Sequence, residues 1–335
     1  MDFKQLQTFV QVAELGSFTR AAHALQVAQP ALSRQVRALE VELRQSLFAR
    51  NGRGVTLTEA GTRLLAHARG ILQQVERARH DLADPGGASS GLLSIGLPPS
   101  ISRTLTAPLV EAFRARFPRA TLSVLEGLSN YTLEWLVQGR IDCAVVYNAT
   151  PSAAVELRPV LEEQLFLVSA RPAPARRAKA PPEAEPAHAT LADVAAHGLV
   201  IPSRPHAIRM RLETVLALAG LKPSVALEIE SVPAILELVR RHALHAVLSR
   251  NALRASGHEG DFIARTIVTP PRATPLATTL WIATSAQRPQ GPLLARATTL
   301  LAELLRRGLG NADTAAAETP AGGRAARRRV QPALS

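Results

Sequence analysis

The chain carries a single cysteine, Cys143, among 335 residues. One thiol cannot build a disulfide framework or a cysteine-based zinc ribbon, and it fits a reducing cytoplasm. Within an apolar strand its expected role is packing, not redox sensing. No apolar run approaches the roughly 18 residues that span a bilayer, so no membrane partner is expected. The N-terminus, Met1-Asp2-Phe3-Lys4, lacks the basic-then-apolar layout of a secretory signal. Enzyme signatures are missing too: there is no P-loop, GxGxxG or HExxH string, and the GxSxG spacing occurs only at Gly87-Ala88-Ser89-Ser90-Gly91, in a Pro/Gly/Ser linker and not as a strand-to-helix elbow. Gly52-Arg53-Gly54 leads into strand residues, not a helix. His242 and His245 have the i, i+3 spacing of a metal pair, but no carboxylate or thiol stands near them. No catalytic residue, metal or cofactor is therefore nominated.

What is present is ordinary for a folded soluble protein, with 47% apolar and 20% charged residues. The length suggests two or three domains. The net charge of +12 is spread along the chain, and only +3 of it falls in residues 1–90. Of 39 basic residues 36 are arginine, which with abundant alanine reflects GC-rich coding. Bulk charge is weak support for nucleic-acid binding.

The first ninety residues are helical and tightly patterned. Leu6, Phe9 and Val12 share one face of a first helix that Gly16 ends. Ser17 is placed to cap a short second helix carrying Phe18, Ala21, Ala22 and Leu25 inward. After a three-residue break, a third helix over Gln29–Leu43 buries Leu32, Val36, Leu39 and Leu43. Its opposite face presents Gln29, Ser33 and Arg37 at i, i+4, i+8, flanked by Pro30 and Arg34. Those groups suit base edges and phosphates, as on the second helix of a helix-turn-helix. Leu47 and Phe48 then anchor a hairpin, Arg50-Asn51-Gly52-Arg53-Gly54-Val55-Thr56-Leu57, whose tip residue Arg53 is placed for a minor groove. Helix-turn-helix plus hairpin is a winged helix; a three-helix domain with a solvated third helix is the competing reading.

The string Phe9-Val10-Gln11-Val12-Ala13-Glu14-Leu15-Gly16-Ser17-Phe18-Thr19-Arg20-Ala21-Ala22 resembles the N-terminus of LysR-type transcriptional regulators. Gln29-Pro30-Ala31-Leu32-Ser33-Arg34-Gln35-Val36, Leu47-Phe48-Ala49-Arg50 and Thr56-Leu57-Thr58-Glu59-Ala60-Gly61 extend the match over about sixty residues. The resemblance implies a cytoplasmic regulator of double-stranded promoter DNA, with Gln29, Pro30, Ser33, Arg34 and Arg37 in or beside the major groove and Arg53 on the wing. RNA polymerase is a candidate further partner. Ala28 stands where the family usually has Ser or Thr, which removes a helix cap worth about 1 kcal/mol.

From Thr58 a long helix carries Leu64, Ala68, Ile71, Val75, Ala78 and Leu82 at 4-3-4-3-4, a heptad seam. Polar residues elsewhere on this helix favour a partner helix, hence a homodimer or homotetramer with paired half-sites. The family uses this helix as a dimer linker.

Beyond the linker Asp84–Gly91, strands and helices alternate: strands at Leu92–Leu97, Thr121–Leu125, Ile141–Val146 and Pro159–Val168, with helices at Arg103–Arg116 and Asn130–Gln138. A second unit repeats the pattern with strands Leu199–Ile201, Ala226–Ile229 and Ala246–Leu248 and helices Ala207–Leu218 and Pro233–Arg241. A last strand, Leu280–Ala283, and helix, Leu293–Arg307, return to the first unit. Such alternation predicts parallel sheets with crossover helices. Ligands in such sheets lie beyond the strand ends. The residues found there are Ser100, Ser129, Tyr147, Asn148, Ser203, Arg204, His206 and Ser249, and they suit a small polar or anionic metabolite. Each serine taken alone is as readily a helix cap. This half resembles the family's periplasmic-binding-protein-like, two-subdomain effector region. Pro202-Ser203-Arg204-Pro205-His206 and Glu126-Gly127-Leu128-Ser129 with Leu133-Glu134-Trp135-Leu136 resemble its nitrogen-assimilation-control branch.

The organisation expected is thus a winged helix-turn-helix at 1–58, a linker helix and hinge at 59–90, and an effector region at 91–310. Its first subdomain takes 91–168 plus 268–310 and its second 169–267. A proline-rich loop lies at Arg171–Ala189, and 311–335 reads as a disordered tail. His242 and Leu244 replace a Gly-x-Gly usual in the family, which leaves a constitutive DNA-binding protein with a degenerate cleft as an alternative. An enzyme built on the same lobes has no catalytic constellation behind it.

Overall fold

The computed structural model describes residues 1–51, 54–83, 90–172 and 186–310. The wing residues Gly52 and Arg53, residues 84–89 of the linker, 173–185 of the proline-rich loop and the tail 311–335 lie outside the described residues.

The head is built from α1 (Phe3–Leu15), α2 (Phe18–Ala24), α3 (Gln29–Leu43), the hairpin β1 (Phe48–Asn51) and β2 (Gly54–Leu57), and the first turns of α4 (Glu59–Ala83). Asp2 and Gln5 form a reciprocal capping box on α1. Gly16 ends that helix with φ 61°, a left-handed conformation that glycine takes without a Cβ penalty. Ser17 caps α2 as expected. Leu25 departs from expectation: it is 36% exposed, because α2 stops at Ala24 and Leu25 caps its C-terminus. The α3 bounds coincide with those read from the sequence, and Ala28 makes no side-chain cap. The Glu40 carboxylate accepts the backbone N–H groups of Leu47 and Phe48, at 2.8 and 3.3 Å, which fixes the entry to the hairpin. Phe9, Phe18 and Phe48 pack ring against ring in the core.

The heptad stripe of α4 is divided between neighbours. Leu64 and Ala68 belong to the head's own core, and Ala68 is fully buried there. Ile71 is 40% exposed, Val75 half-buried and Ala78 exposed. Because α1 packs along the first turns of α4, the apolar period there reports an internal neighbour, not a partner helix. The Leu82 side chain lies outside the described residues.

Lobe one contains β3 (Ser90–Leu97), α5 (Pro99–Arg116), β4 (Arg119–Glu126), α6 (Ser129–Val137), β5 (Cys143–Tyr147) and the first half of β6 (Val155–Ala170). Lobe two contains β7 (His188–Thr190), α7 (Leu191–Ala196), β8 (Leu199–Ile201), α8 (Ala207–Leu218), β9 (Val225–Glu228), α9 (Val232–His242), β10 (Ala246–Ser249), α10 (Arg250–Ala255), β11 (Phe262–Thr269) and β12 (Thr274–Pro275). The chain then returns to lobe one through β13 (Ala277–Ser285) and α11 (Pro292–Leu305).

The sheets are mixed, not wholly parallel. β3 pairs in parallel with β4 and β5, and β8 with β9. β13 runs antiparallel to β5 and β6, and β10 and β11 run antiparallel to β6. Alternation of strand and helix is blind to these pairs, since β5 leads to β6 without a helix between them. β6 itself joins the lobes. Its residues up to Gln164 pair with β13, while Leu165 onward pairs with β10 and β11. The cores follow the same division, for Val160 packs in lobe one and Leu165 and Leu276 in lobe two. The change of lobe therefore falls near 164, inside the continuous strand β6, and near 276–277, between β12 and β13, and not at about 168 and 268.

The linker helix rests directly on lobe one. Gly70 is buried, and a Cβ added to it would lie 2.0 Å from the carbonyl oxygen of Gln138. Next to it the Gln73 amide donates to the Ser94 hydroxyl at 2.8 Å. Only a residue without a side chain fits α4 to this turn.

Candidate DNA-reading face and effector cleft

The outer face of α3 is polar and solvent-facing. Gln29, Pro30, Arg34 and Arg37 are exposed and Ser33 half-buried. Among the described residues neither Arg34 nor Arg37 has an ion-pair partner. The helix is held from behind: Leu32, Val36 and Leu39 are buried, and the Thr8 hydroxyl donates to the Gln35 side chain at 2.6 Å. Two free guanidinium groups thus stand on a rigid helix beside an amide and a hydroxyl. Charges that are exposed and uncommitted are available to a polyanion at little desolvation cost.

Between the lobes is a cleft of about 550 Å³. Ser100, Ser129, Tyr147, His206 and Ser249 line it, as the strand-end reading expects; Ser203 and Arg204 do not. The Arg204 guanidinium grips Glu213 through Nε and Nη2 at 2.9 and 3.0 Å, and the Ser203 hydroxyl donates to Glu230 at 2.6 Å. Asn148 bends back toward β13, its side-chain oxygen accepting the Thr279 N–H at 3.1 Å. Glu213 also binds Arg209 at 2.9 Å, and Arg209 reaches Glu228 at 2.7 Å and the Pro202 carbonyl at 3.0 Å. Arg204, together with Arg209, holds the Glu213 carboxyl below its ordinary range. Arg204 is spent on the frame of lobe two.

The serines differ in what they do. Ser249 caps α10 and His206 caps α8, each through its side chain. Ser129 instead accepts the Tyr147 backbone N–H at 3.0 Å, tying α6 to β5. The Tyr147 hydroxyl lies 3.5 Å from the Ser100 hydroxyl and donates to the buried Glu163 at 3.0 Å. Burial, followed by the nearby Glu163 charge, raises the Tyr147 phenol well above its usual range. Across the cleft the Asn251 side chain donates to the Ser100 carbonyl at 3.1 Å, a direct tie between lobes. Burial pushes the His206 imidazole down to about 4, with Glu230 opposing it, so the ring is neutral at neutral pH.

Several lining residues were not nominated from the sequence. Arg103, Glu126, Tyr131 and Glu230 all face the cleft. Arg103 was legible, being one helical turn (i, i+3) beyond Ser100 on α5. Glu126 and Glu230 stand at or just beyond the ends of β4 and β9, where only hydroxyls and arginine were sought. His242 is exposed, whereas His245 packs its ring against His197 at 4.0 Å. Among the described residues no group of three metal-ligating side chains comes together. Cys143 is fully buried in β5, and burial raises its thiol far above the usual value. Ala243, between the two positions His242 and Leu244 where the family usually has glycine, adopts a left-handed φ of 51°.

A winged helix on a long linker helix, joined to two lobes around an open cleft, defines a ligand-responsive class of DNA-binding regulator. The comparisons with known proteins carry this to a family. Residues 3–62 match the bacterial regulatory helix-turn-helix of the lysR family, and 86–306 match the LysR substrate binding domain. The chain belongs to the LysR family of DNA-binding transcriptional regulators and is not an enzyme. It is 37% identical to the nitrogen assimilation regulatory protein nac of Escherichia coli (strain K12) over 256 residues, spanning 76% of this chain and 80% of that protein. The nac protein of Klebsiella aerogenes is 34% identical over 267 residues, spanning 79% and 84%. These relatives support the nitrogen-assimilation-control branch. Among solved structures, full-length CbnR complexed with its target DNA is 25% identical, with a TM-score of 0.64 over 92% of this chain and all of that one. Among the described residues no helix is long and apolar enough to cross a membrane.

Proposed function

We propose that this regulator reads promoter DNA in the cytoplasm with the outer face of α3 and responds to a small molecule bound between its lobes. Gln29, Pro30, Ser33, Arg34 and Arg37 meet the major groove, and Arg53 of the wing reaches the flanking minor groove. Two heads act together through a homodimer or homotetramer, joined along the later part of the linker seam, Ile71, Val75, Ala78 and Leu82. Ligand closure of the lobes shifts the equilibrium between arrangements of the paired heads on DNA. Through that shift the protein alters access of RNA polymerase to the promoter.

The observation that carries the reading is the pair of uncommitted arginines, Arg34 and Arg37, on a helix whose other face is wholly spent on the core. Gel-shift titration on the gene's own upstream region tests it. Arg34→Ala and Arg37→Ala should each weaken binding about 10- to 100-fold, the cost of one good base or phosphate contact, with circular dichroism unchanged. Wild-type affinity in both variants would refute the docking. A footprint that no metabolite moves would favour the constitutive alternative.

A further inference from the structure

The charge inside the cleft is opposite to the one expected from the sequence. Arg204 is bound to Glu213 and does not line the cavity, and His206 carries no charge there at neutral pH. What lines the cleft is one guanidinium, Arg103, against two carboxylates, Glu126 and Glu230. The carboxylates come from different lobes, Glu126 from the end of β4 and Glu230 from just beyond β9. Among the described residues neither Arg103 nor Glu126 has an ion-pair or hydrogen-bond partner, and Glu230 accepts a single hydroxyl. Tyr131 adds a 49% exposed aromatic ring to the lining of the same cleft.

An aromatic face beside carboxylates is recognition chemistry for an ammonium group, through cation–π attraction and charge-assisted hydrogen bonds. A dianion would meet two like charges for each opposite one. We propose that the cleft takes a small zwitterion of the amino-acid class, its ammonium between Glu126, Glu230 and Tyr131 and its carboxylate on Arg103. This rests on the reading of the cleft as an effector site and specifies its ligand. It also supplies a reason for closure: like charges carried by opposite lobes resist approach, and a cation between them removes that resistance.

Calorimetric titration of the full-length protein tests the assignment. The probes are the proteinogenic L-amino acids, their decarboxylated amines, and the dianions succinate and 2-oxoglutarate. At least one amino acid should bind. Glu126→Gln and Glu230→Gln should each weaken it about tenfold or more, the loss of a charge-assisted hydrogen bond. Arg103→Met should weaken the amino acid while leaving its decarboxylated amine within about twofold. All three positions are solvent-facing, and unchanged melting will show that the variants fold. Preferential binding of a dianion, or tighter binding after either Glu→Gln change, would overturn the zwitterion assignment and leave an effector cleft standing. Absence of binding by every probe, with a footprint unmoved by each, would overturn the assignment and the effector reading together.

Discussion

The head and the sensor each present arginines to solvent, and they use them in opposite ways. On α3, Arg34 and Arg37 stand free on the polar face of a helix. In lobe two, Arg204 lies in a loop one turn from a helix start, where anion sites are often found, yet Glu213 holds it in a bidentate pair. Sequence position alone makes the two cases look alike. The difference lies in whether the fold has already supplied a counter-charge. An arginine without one is available for recognition; an arginine with one is part of the frame.

Substitutions within the lobe-two network should sharpen that contrast first. Arg209 is buried and joins Glu213, Glu228 and the Pro202 carbonyl. Removing it takes one of two guanidinium partners from Glu213 and the Arg209 donor from the Pro202 carbonyl, so Arg209→Ala should destabilise the protein by about 1–3 kcal/mol in denaturant unfolding. Arg204 is 64% exposed at its side chain, and Arg204→Ala should cost under about 1 kcal/mol. Equal costs would break the distinction between a buried strut and a surface clamp.

Gly70 separates the two regions and gives a prediction whose sign decides. Glycine inside a helix is less stable than alanine by about 0.5–1 kcal/mol, so Gly70→Ala in a free helix would stabilise. Against the Gln138 carbonyl the added methyl has no room, and overpacking costs about 1–3 kcal/mol. A lowered melting temperature is expected. A raised one would show that the linker helix does not rest on lobe one in solution.

The last expected effect is confined to acid. His206 has its proton affinity lowered to about 4 in the fold, against about 6.5 in an unfolded chain. Between those values the unfolded state binds more protons, so stability falls as pH drops through 6.5 and levels off below 4. His206→Gln should flatten that part of the stability profile measured by thermal melting, and an unchanged profile would assign the acid sensitivity to other groups.

How much of this was legible in the sequence follows the range of the interactions. The bounds of α3, β8 and α8 were read as they are found, because apolar period, proline placement and caps are local signals. α5 begins at Pro99, earlier than the apolar period alone suggested, since proline favours the first helical turn. The short α7 and α10 were missed because six residues make too little of a period to read, and the eight-residue β11 was missed because its residues do not alternate between buried and exposed. Antiparallel pairing across β6 is non-local and left no pattern. The cleft was half legible for the same reason. Ser100, Ser129, Tyr147, His206 and Ser249 follow strand ends and line it. The capture of Arg204 by Glu213 depends on how a loop folds over α8, which spacing does not encode. Net charge in the cleft is a sum over both lobes, so no single stretch of sequence displays it.

The most direct test of the central claim, that free arginines recognise and paired ones support, is the salt dependence of promoter binding for Arg34→Ala and Arg204→Ala side by side. Arg34→Ala should lower affinity and reduce the slope of log affinity against log salt by about 1, while Arg204→Ala should leave both at wild-type values. An unchanged slope in Arg34→Ala, or the larger loss in Arg204→Ala, would contradict that claim.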